Sequence, residues 1–444
     1  MLLKRKFNLF NNILIIIAVS LLPGCATLDQ TLFSFDEHYK ERLHVVERNN
    51  LKVEVAALSN KESIHHFGYS LNEVGVQAIY VKITNKNNVP RLLFPIASDP
   101  DYFPPYEIAR RIKTAFNINT EETYKKLHNQ LINNTVNADT ASEGFLYTHA
   151  DEGMKSIWIE MEGVGKSDRF HFVVPVPGLP SNYYSVDQEI LDAHTTTARL
   201  DRDKLRSWLQ KLSCCTVNIK GVSGDPMNIA FIGSMEEVRA ALIGRHWDVT
   251  EPISDASIRR MIGAFFSGSR YRYAPISPLF FFDREHDLAF QKAREVIDER
   301  LHLRLWLAPV NFEGRSVWVG QISRDIGVKM TWKLWPPTTH IIDPDIDEAR
   351  FYLLQDLMED KHLQAFAYTE GIPKTTLELP SYNAENDPYF TDGLRTLFIL
   401  SEGAHSSENL HLWPWSYSDK LKPFAEIILD EEKKDIKINN PIQQ

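Results

Sequence analysis

Leucines at 301, 303, 305 and 307 alternate with His302, Arg304 and Trp306. A period of two belongs to a strand with one buried side, so Leu301–Leu307 is expected to be one. Its second side carries an imidazole, a guanidinium and an indole, which is not ordinary solvent-facing filler. A partner strand is expected over Ser316–Ser323, and a third segment brings His340 and Asp343. The three would converge on one polar site.

The chain has 444 residues, 43% hydrophobic and 24% charged, which is enough apolar material for a globular core. Single cores stop growing near roughly 250 to 300 residues, so two or three domains are expected. With 49 Lys and Arg against 59 Asp and Glu, the net charge is -10, and no long basic run follows the first residues. Nucleic acid is therefore set aside as a partner.

The compartment is read from the N-terminus. Lys4, Arg5 and Lys6 precede an apolar run over Ile13–Leu22, and Pro23, Gly24 and Cys25 follow. That run is too short to span a bilayer and has the layout of a secretory signal. The stretch resembles a bacterial lipobox, which implies acylation of the Cys25 thiol and cleavage just before it. An uncleaved anchor, or a plain signal with an incidental Cys, is the blander alternative. Buried acyl chains at about 0.8 kcal/mol per CH₂ would hold the protein at a membrane. Ala26 resembles an outer-membrane sorting signal, so a lipid-anchored envelope protein facing the periplasm is expected.

The expected class is α+β. Residues 1–24 read as signal peptide and 25–50 as tether. Residues 51–178 read as an antiparallel β-sandwich-like domain with a helical insertion from Pro104 to Asn133, broken around Phe116–Thr120. His65 and His66 sit between strands and are assigned to packing and surface. A boundary falls at Val176–Pro180, a mixed α/β domain covers 179–400, and 401–444 form a tail. Cys214 and Cys215 are adjacent; a vicinal disulfide, a buried reduced pair or a soft-metal site are the options, metal being the poorest for want of further ligands.

Ser234 and Glu237 form a capping box. A phosphate cradle at Gly233–Ser234 is rejected because Glu236 and Glu237 would repel an anion at that helix start. Asp283–Asp287 is expected to cap a helix running to about Glu299. Asp343, Asp345 and Asp347 have the spacing of a calcium loop, but Glu348 stands where glycine is needed and Leu354 where a bidentate Glu is needed. Helix capping is preferred there, and no metal or cofactor is expected.

The runs GDPMNIAFIGS (224–234), SPLFFFDREHDLAFQ (277–291), LHLRLW (301–306), HIIDPDIDEAR (340–350) and DPYFTDG (387–393) together resemble the LssY C-terminal-like family over about 201–400. The resemblance implies a domain boundary and little chemistry. Leu301 stands where relatives often carry the first of two histidines, and no membrane-phosphatase segment accompanies the domain here.

Three functional readings follow. In the first, the protein is a binding or envelope-organising module in which Arg284, His302, Arg304 and Arg350 line a cleft for an anionic lipid, a glycan or a protein carboxylate. In the second it is an envelope ester or phosphoester hydrolase, with His302 or His340 as general base, Asp343 orienting it and Arg304 facing developing charge. The third makes these residues an internal network that fixes sheet register.

Overall fold

The computed structural model describes residues 38–178, 198–251, 253–267, 272–293, 300–330, 338–359, 362–401 and 410–418. Residues from His38 onward group as one compact unit. The class is α+β, with several antiparallel sheets and one mixed sheet. Cys25 and the signal segment lie outside the described residues, as does most of the C-terminal tail.

In the first half, His44–Arg48 (β1), Leu51–Ala57 (β2), Val76–Asn85 (β3) and Thr140–His149 (β6) form one sheet. Arg91–Leu93 (β4), Thr135–Val136 (β5), Gly153–Gly163 (β7) and Lys166–Val176 (β8) form another. The alternation in β2 sends Leu51, Val53 and Val55 to the cluster that also takes Ile157 and Ile159 of β7 and Phe170 and Phe172 of β8. Ala56 joins Ala78 and Tyr80 of β3 in a second cluster, which holds the helices.

Asn60–Phe67 (α1) is a helix closed by a Ser59/Glu62 capping box, so His65 and His66 lie on a helix rather than between strands. The expected helical insertion is present. After the short helix Pro95–Ser98 (α2) come Pro105–Phe116 (α3) and Thr120–Asn129 (α4). Asn117 takes a left-handed φ of 56°, which ends α3 where the break was expected. Ile108, Ala109 and Ile112 of α3 pack with Tyr80 and Val76.

The second half is built on a ten-stranded mixed sheet. Its central run is Asp248–Val249 (β13), Leu288–Ala293 (β16), Arg300–Phe312 (β17), Arg315–Met330 (β18), Ile229–Ile232 (β12), Leu394–Leu400 (β23) and Leu363–Glu370 (β20). Strand β12 runs parallel to β23 and antiparallel to β18. At its margins Arg199–Leu200 (β9) pairs with β17, Thr338–Ile342 (β19) with β18, and His411–Leu412 (β24) with β20. One face packs on Met235–Ile243 (α6), which carries the expected Ser234/Glu237 capping box, and on Ile346–Glu359 (α8). Met154 of β7 joins that same cluster. The opposite face packs on Arg202–Lys211 (α5) through Leu205 and Leu209. Asp255–Ser267 (α7) is a further helix.

The segment after Asp283 departs from expectation. Phe280–Phe281 (β14) and Arg284–Glu285 (β15) are joined by Phe282 and Asp283, both at positive φ (52° and 58°). Two left-handed residues in a row make the tight hairpin turn whose twist suits the flanking strands. The chain then continues as β16 instead of a helix. Its Leu288 and Phe290 enter the apolar cluster while Gln291 faces the other side.

Candidate functional site

The polar side of β17 is placed by alternation and register. Leu301, Leu303, Leu305 and Leu307 all lie in the apolar cluster beneath α6 and α8, as the sequence predicted. Arg300, His302 and Arg304 therefore point to the opposite face, the face on which Trp306 packs with the α5 cluster. Across the ladder His302 pairs with Gln291 on one side and Ser323 on the other, and Arg304 pairs with Gln321. Opposite residues in an antiparallel ladder share a face, so one polar strip runs over three strands. Gly320 lets β17 and β18 approach closely: a Cβ there would sit 2.5 Å from the Arg304 carbonyl oxygen.

The strip is buried and internally bonded. Arg304 donates through Nε and Nη2 to the Ser277 carbonyl (3.3 and 3.0 Å) and through Nη1 to Gln321 Oε1 (3.0 Å). Gln321 Nε2 donates to Asp225 Oδ2 at 3.3 Å, and Asn383 Nδ2 donates to Asp225 Oδ1 at 3.0 Å. Gln291 Nε2 reaches the Arg272 and Ala274 carbonyls at 2.7 and 2.9 Å, and its Oε1 accepts from Arg300 at 2.9 Å. The 272–277 segment, the strand Ser223–Pro226 (β11) and the 383–387 turn are thus tied to one face by side chains.

His302 Nε2 lies 2.6 Å from Asp325 Oδ2, both residues being buried. Facing a carboxylate, this nitrogen carries the hydrogen. Burial pulls the imidazole down to about 4, against the opposing pull of Asp325. Burial also lowers the Arg304 guanidinium and raises the Asp225 carboxyl. His286, whose ring stands edge-on to Trp306, is pushed to about 3 by burial and then by Arg304.

These shifts carry a pH prediction. The unfolded chain binds a proton at His302 near pH 6.5, whereas the folded chain resists until about pH 4. Stability should be full above pH 6.5 and fall as pH drops towards 4, by about 3 kcal/mol from this group alone. Denaturant unfolding at pH 7 and pH 5 checks it, and His302→Gln should flatten the slope.

The candidate residues fall into separate places. His302 and Arg304 share the strip. Arg284 lies along its margin, gripping Asp287 through two bonds (3.0 and 2.8 Å) and donating to the Leu307 carbonyl at 2.7 Å. Arg350 is on α8, on the opposite side of the sheet. It donates to the Leu394 carbonyl and to Asp392 Oδ2 (2.7 Å) and lies 3.5 Å from Asp347 Oδ1. Asp343 does not orient His302: its Oδ1 accepts from the Asp345 backbone NH at 3.1 Å, and the carboxylate that meets His302 is Asp325. His340 is paired with Val328 by its backbone, and its side chain lies outside the described residues.

Cys214 and Cys215 are joined as a vicinal disulfide, beside Tyr389, whose hydroxyl is 4.0 Å from Cys215 Sγ. Sequence reasoning missed Asp225, Asp325 and Gln321. The signal for two of them was present in Gln321, Ser323 and Asp325, which alternate as the partner of His302 and Arg304 requires. Among the described residues no group of three or more His, Cys, Asp or Glu could hold a metal ion, and no helix is long and apolar enough to cross a membrane.

Residues 208–394 match the family model described as LssY C-terminus. The matched stretch takes in β12, β16, β17, β18 and α8, and with them the whole polar strip. No curated protein matches the chain.

Proposed function

Taking residues 208–394 as an LssY C-terminal domain, we propose that the protein is a lipid-anchored envelope component that binds and organises partners. The sandwich of residues 51–178 and the α/β region of 179–400 are its two working parts. In this reading the His302–Arg304 strip shapes the binding surface from within instead of contacting the ligand. One observation supports this above the others. Among the described residues three of the five N–H donors of Arg304 go to Ser277 and Gln321, and the bridge continues through Asp225 to Asn383. A guanidinium 7% exposed, with most of its donors bonded inside the fold, is placed to brace the sheet more than to meet an incoming anion. The surface partner is an anionic lipid, a glycan or another envelope protein.

Anchoring rests on Lys4–Lys6, Ile13–Leu22 and Cys25. Cells given labelled palmitate should label the chain and should lose that label with Cys25→Ala. Label that persists in the variant would remove the anchor from the account.

A second reading is favoured by the 2.6 Å contact of His302 with Asp325, since a carboxylate-oriented imidazole is the core of a general base. A hydrolase of envelope esters or phosphoesters would use His302 on the attacking water and Arg304 on developing charge. Asp325→Asn should then abolish turnover of an ester substrate in a chain that still folds. Turnover unchanged in that variant would end this reading.

A further inference from the structure

The vicinal disulfide stands at the base of two loops that expose large apolar side chains. The first is the hairpin between Cys215–Val217 (β10) and β11. Its turn is ordered: Asn218 N donates to the Val222 carbonyl (3.0 Å), and Asn218 Oδ1 accepts from the Lys220 and Val222 backbone (2.9 and 3.0 Å). Ile219 at the tip is 79% exposed, and Val217 and Val222 flank it, also exposed. The second loop follows Gly371. Thr376 and Leu379 exchange backbone hydrogen bonds (3.4 and 3.1 Å), presenting Leu377 and Leu379 at 67% and 79% exposure, with Tyr382 beyond them. Glu378, between the two leucines, bonds to its own backbone and to Thr376, which in that order hold its carboxyl below the usual range.

The loops rise from one root. Asn383 bonds to Asp225 of β11, Tyr389 lies against Cys215, and Thr375 Oγ1 donates to the Tyr389 carbonyl at 3.4 Å. Two braced turns thus keep six large apolar side chains in water, and burying that surface would be favourable. Isolated apolar tips, a lysine beside the foremost isoleucine and a tyrosine set behind the leucines suit the headgroup and acyl boundary of a bilayer. There the apolar tip is buried, the ammonium stays with the phosphates and the phenol sits at the interface.

From this geometry we infer that the two tips, centred on Ile219 and on Leu377 and Leu379, dip into a phospholipid surface and give the protein a second membrane contact. The inference rests in part on the anchored reading. Cys25 and His38 are 13 positions apart, so a lipid on Cys25 keeps the start of the folded unit within about 45 Å of the bilayer.

The test uses the full chain reconstituted in vesicles of phosphatidylethanolamine and phosphatidylglycerol. A photoreactive p-benzoylphenylalanine replaces Ile219, Leu379 or, as control, Val164, which is fully exposed at the tip between β7 and β8. After irradiation, adducts of phospholipid mass should form at 219 and 379 at least about five-fold above 164, because only inserted side chains meet acyl chains. Lipid adducts at 219 and 379 no higher than at 164, or adducts of protein mass alone, would overturn the inference. The anchor fails separately: floated chain that lacks palmitate yet gives lipid adducts at 219 and 379 rejects only the acylated Cys25. Floated, palmitate-bearing chain without those adducts rejects only the loops.

Discussion

Arg350→Ala should lower the unfolding free energy by about 3–5 kcal/mol, because removing one member of a buried ionic set leaves the others uncompensated. Arg350 is 2% exposed and joins Asp347 of its own helix α8 to Asp392 in the turn that leads into β23. Those carboxylates also accept from Thr391 Oγ1 (2.8 Å), Asp392 N (2.6 Å) and Leu394 N (2.9 Å). Without the guanidinium, two carboxylates are left in partly buried surroundings with only neutral donors. Folded domains have about 5–15 kcal/mol in hand, so the change consumes a large share of it. The denaturant midpoint of the variant checks this, and adding Asp392→Asn should recover part of the loss, since it removes one of the unpaired charges.

The sheet was legible where a period of two spoke alone. Leu301–Leu307 needed no tertiary information, since only a strand sorts those leucines from Arg304. The ends of α3 and the start of α6 were equally legible, because Pro105, Ser234 and Glu237 act locally. Leu288–Ala293 was not. Its strand is set by a turn at Phe282 and Asp283 whose positive φ no glycine announces, and by Leu303 and Leu305 alongside. The candidate site divided in the same way. His302 and Arg304 were found together because alternation puts them together. Asp225 and Asn383 bond across 158 positions, a distance over which no pattern in the chain operates. Arg350 was grouped with Arg304 by chemistry, although the two lie on opposite faces. Arg395 was overlooked: it is 1% exposed and donates to the carbonyls of Leu209, Leu212 and Ser213 at the end of α5 and to that of Met227. A helix end that docks on a strand cannot be read from either segment alone.

The second large effect concerns Arg304. Methionine at this position keeps most of the side-chain volume but none of the donors. The Ser277 carbonyl and Gln321 Oε1 would lose their partner, and the buried Asp225 would lose a guanidinium that favours its charged form. Unsatisfied buried acceptors cost about 1–3 kcal/mol each, so a loss of about 3 kcal/mol or more is expected. The segments at 272–277 and 383–387 should loosen first, since Arg304 holds the Ser277 carbonyl and, through Gln321 and Asp225, reaches Asn383. A residue that only met a ligand would behave in the opposite way, because its removal relieves an unpaired buried charge and spares the fold.

Denaturant unfolding of the full chain with and without Arg304→Met therefore tests the account most directly. The account predicts a clear fall in the midpoint at pH 7, with 272–277 and 383–387 exchanging amide hydrogens faster than in the parent chain. An unchanged midpoint and unchanged exchange, with loss of binding or turnover, would contradict it and place a ligand at the guanidinium instead.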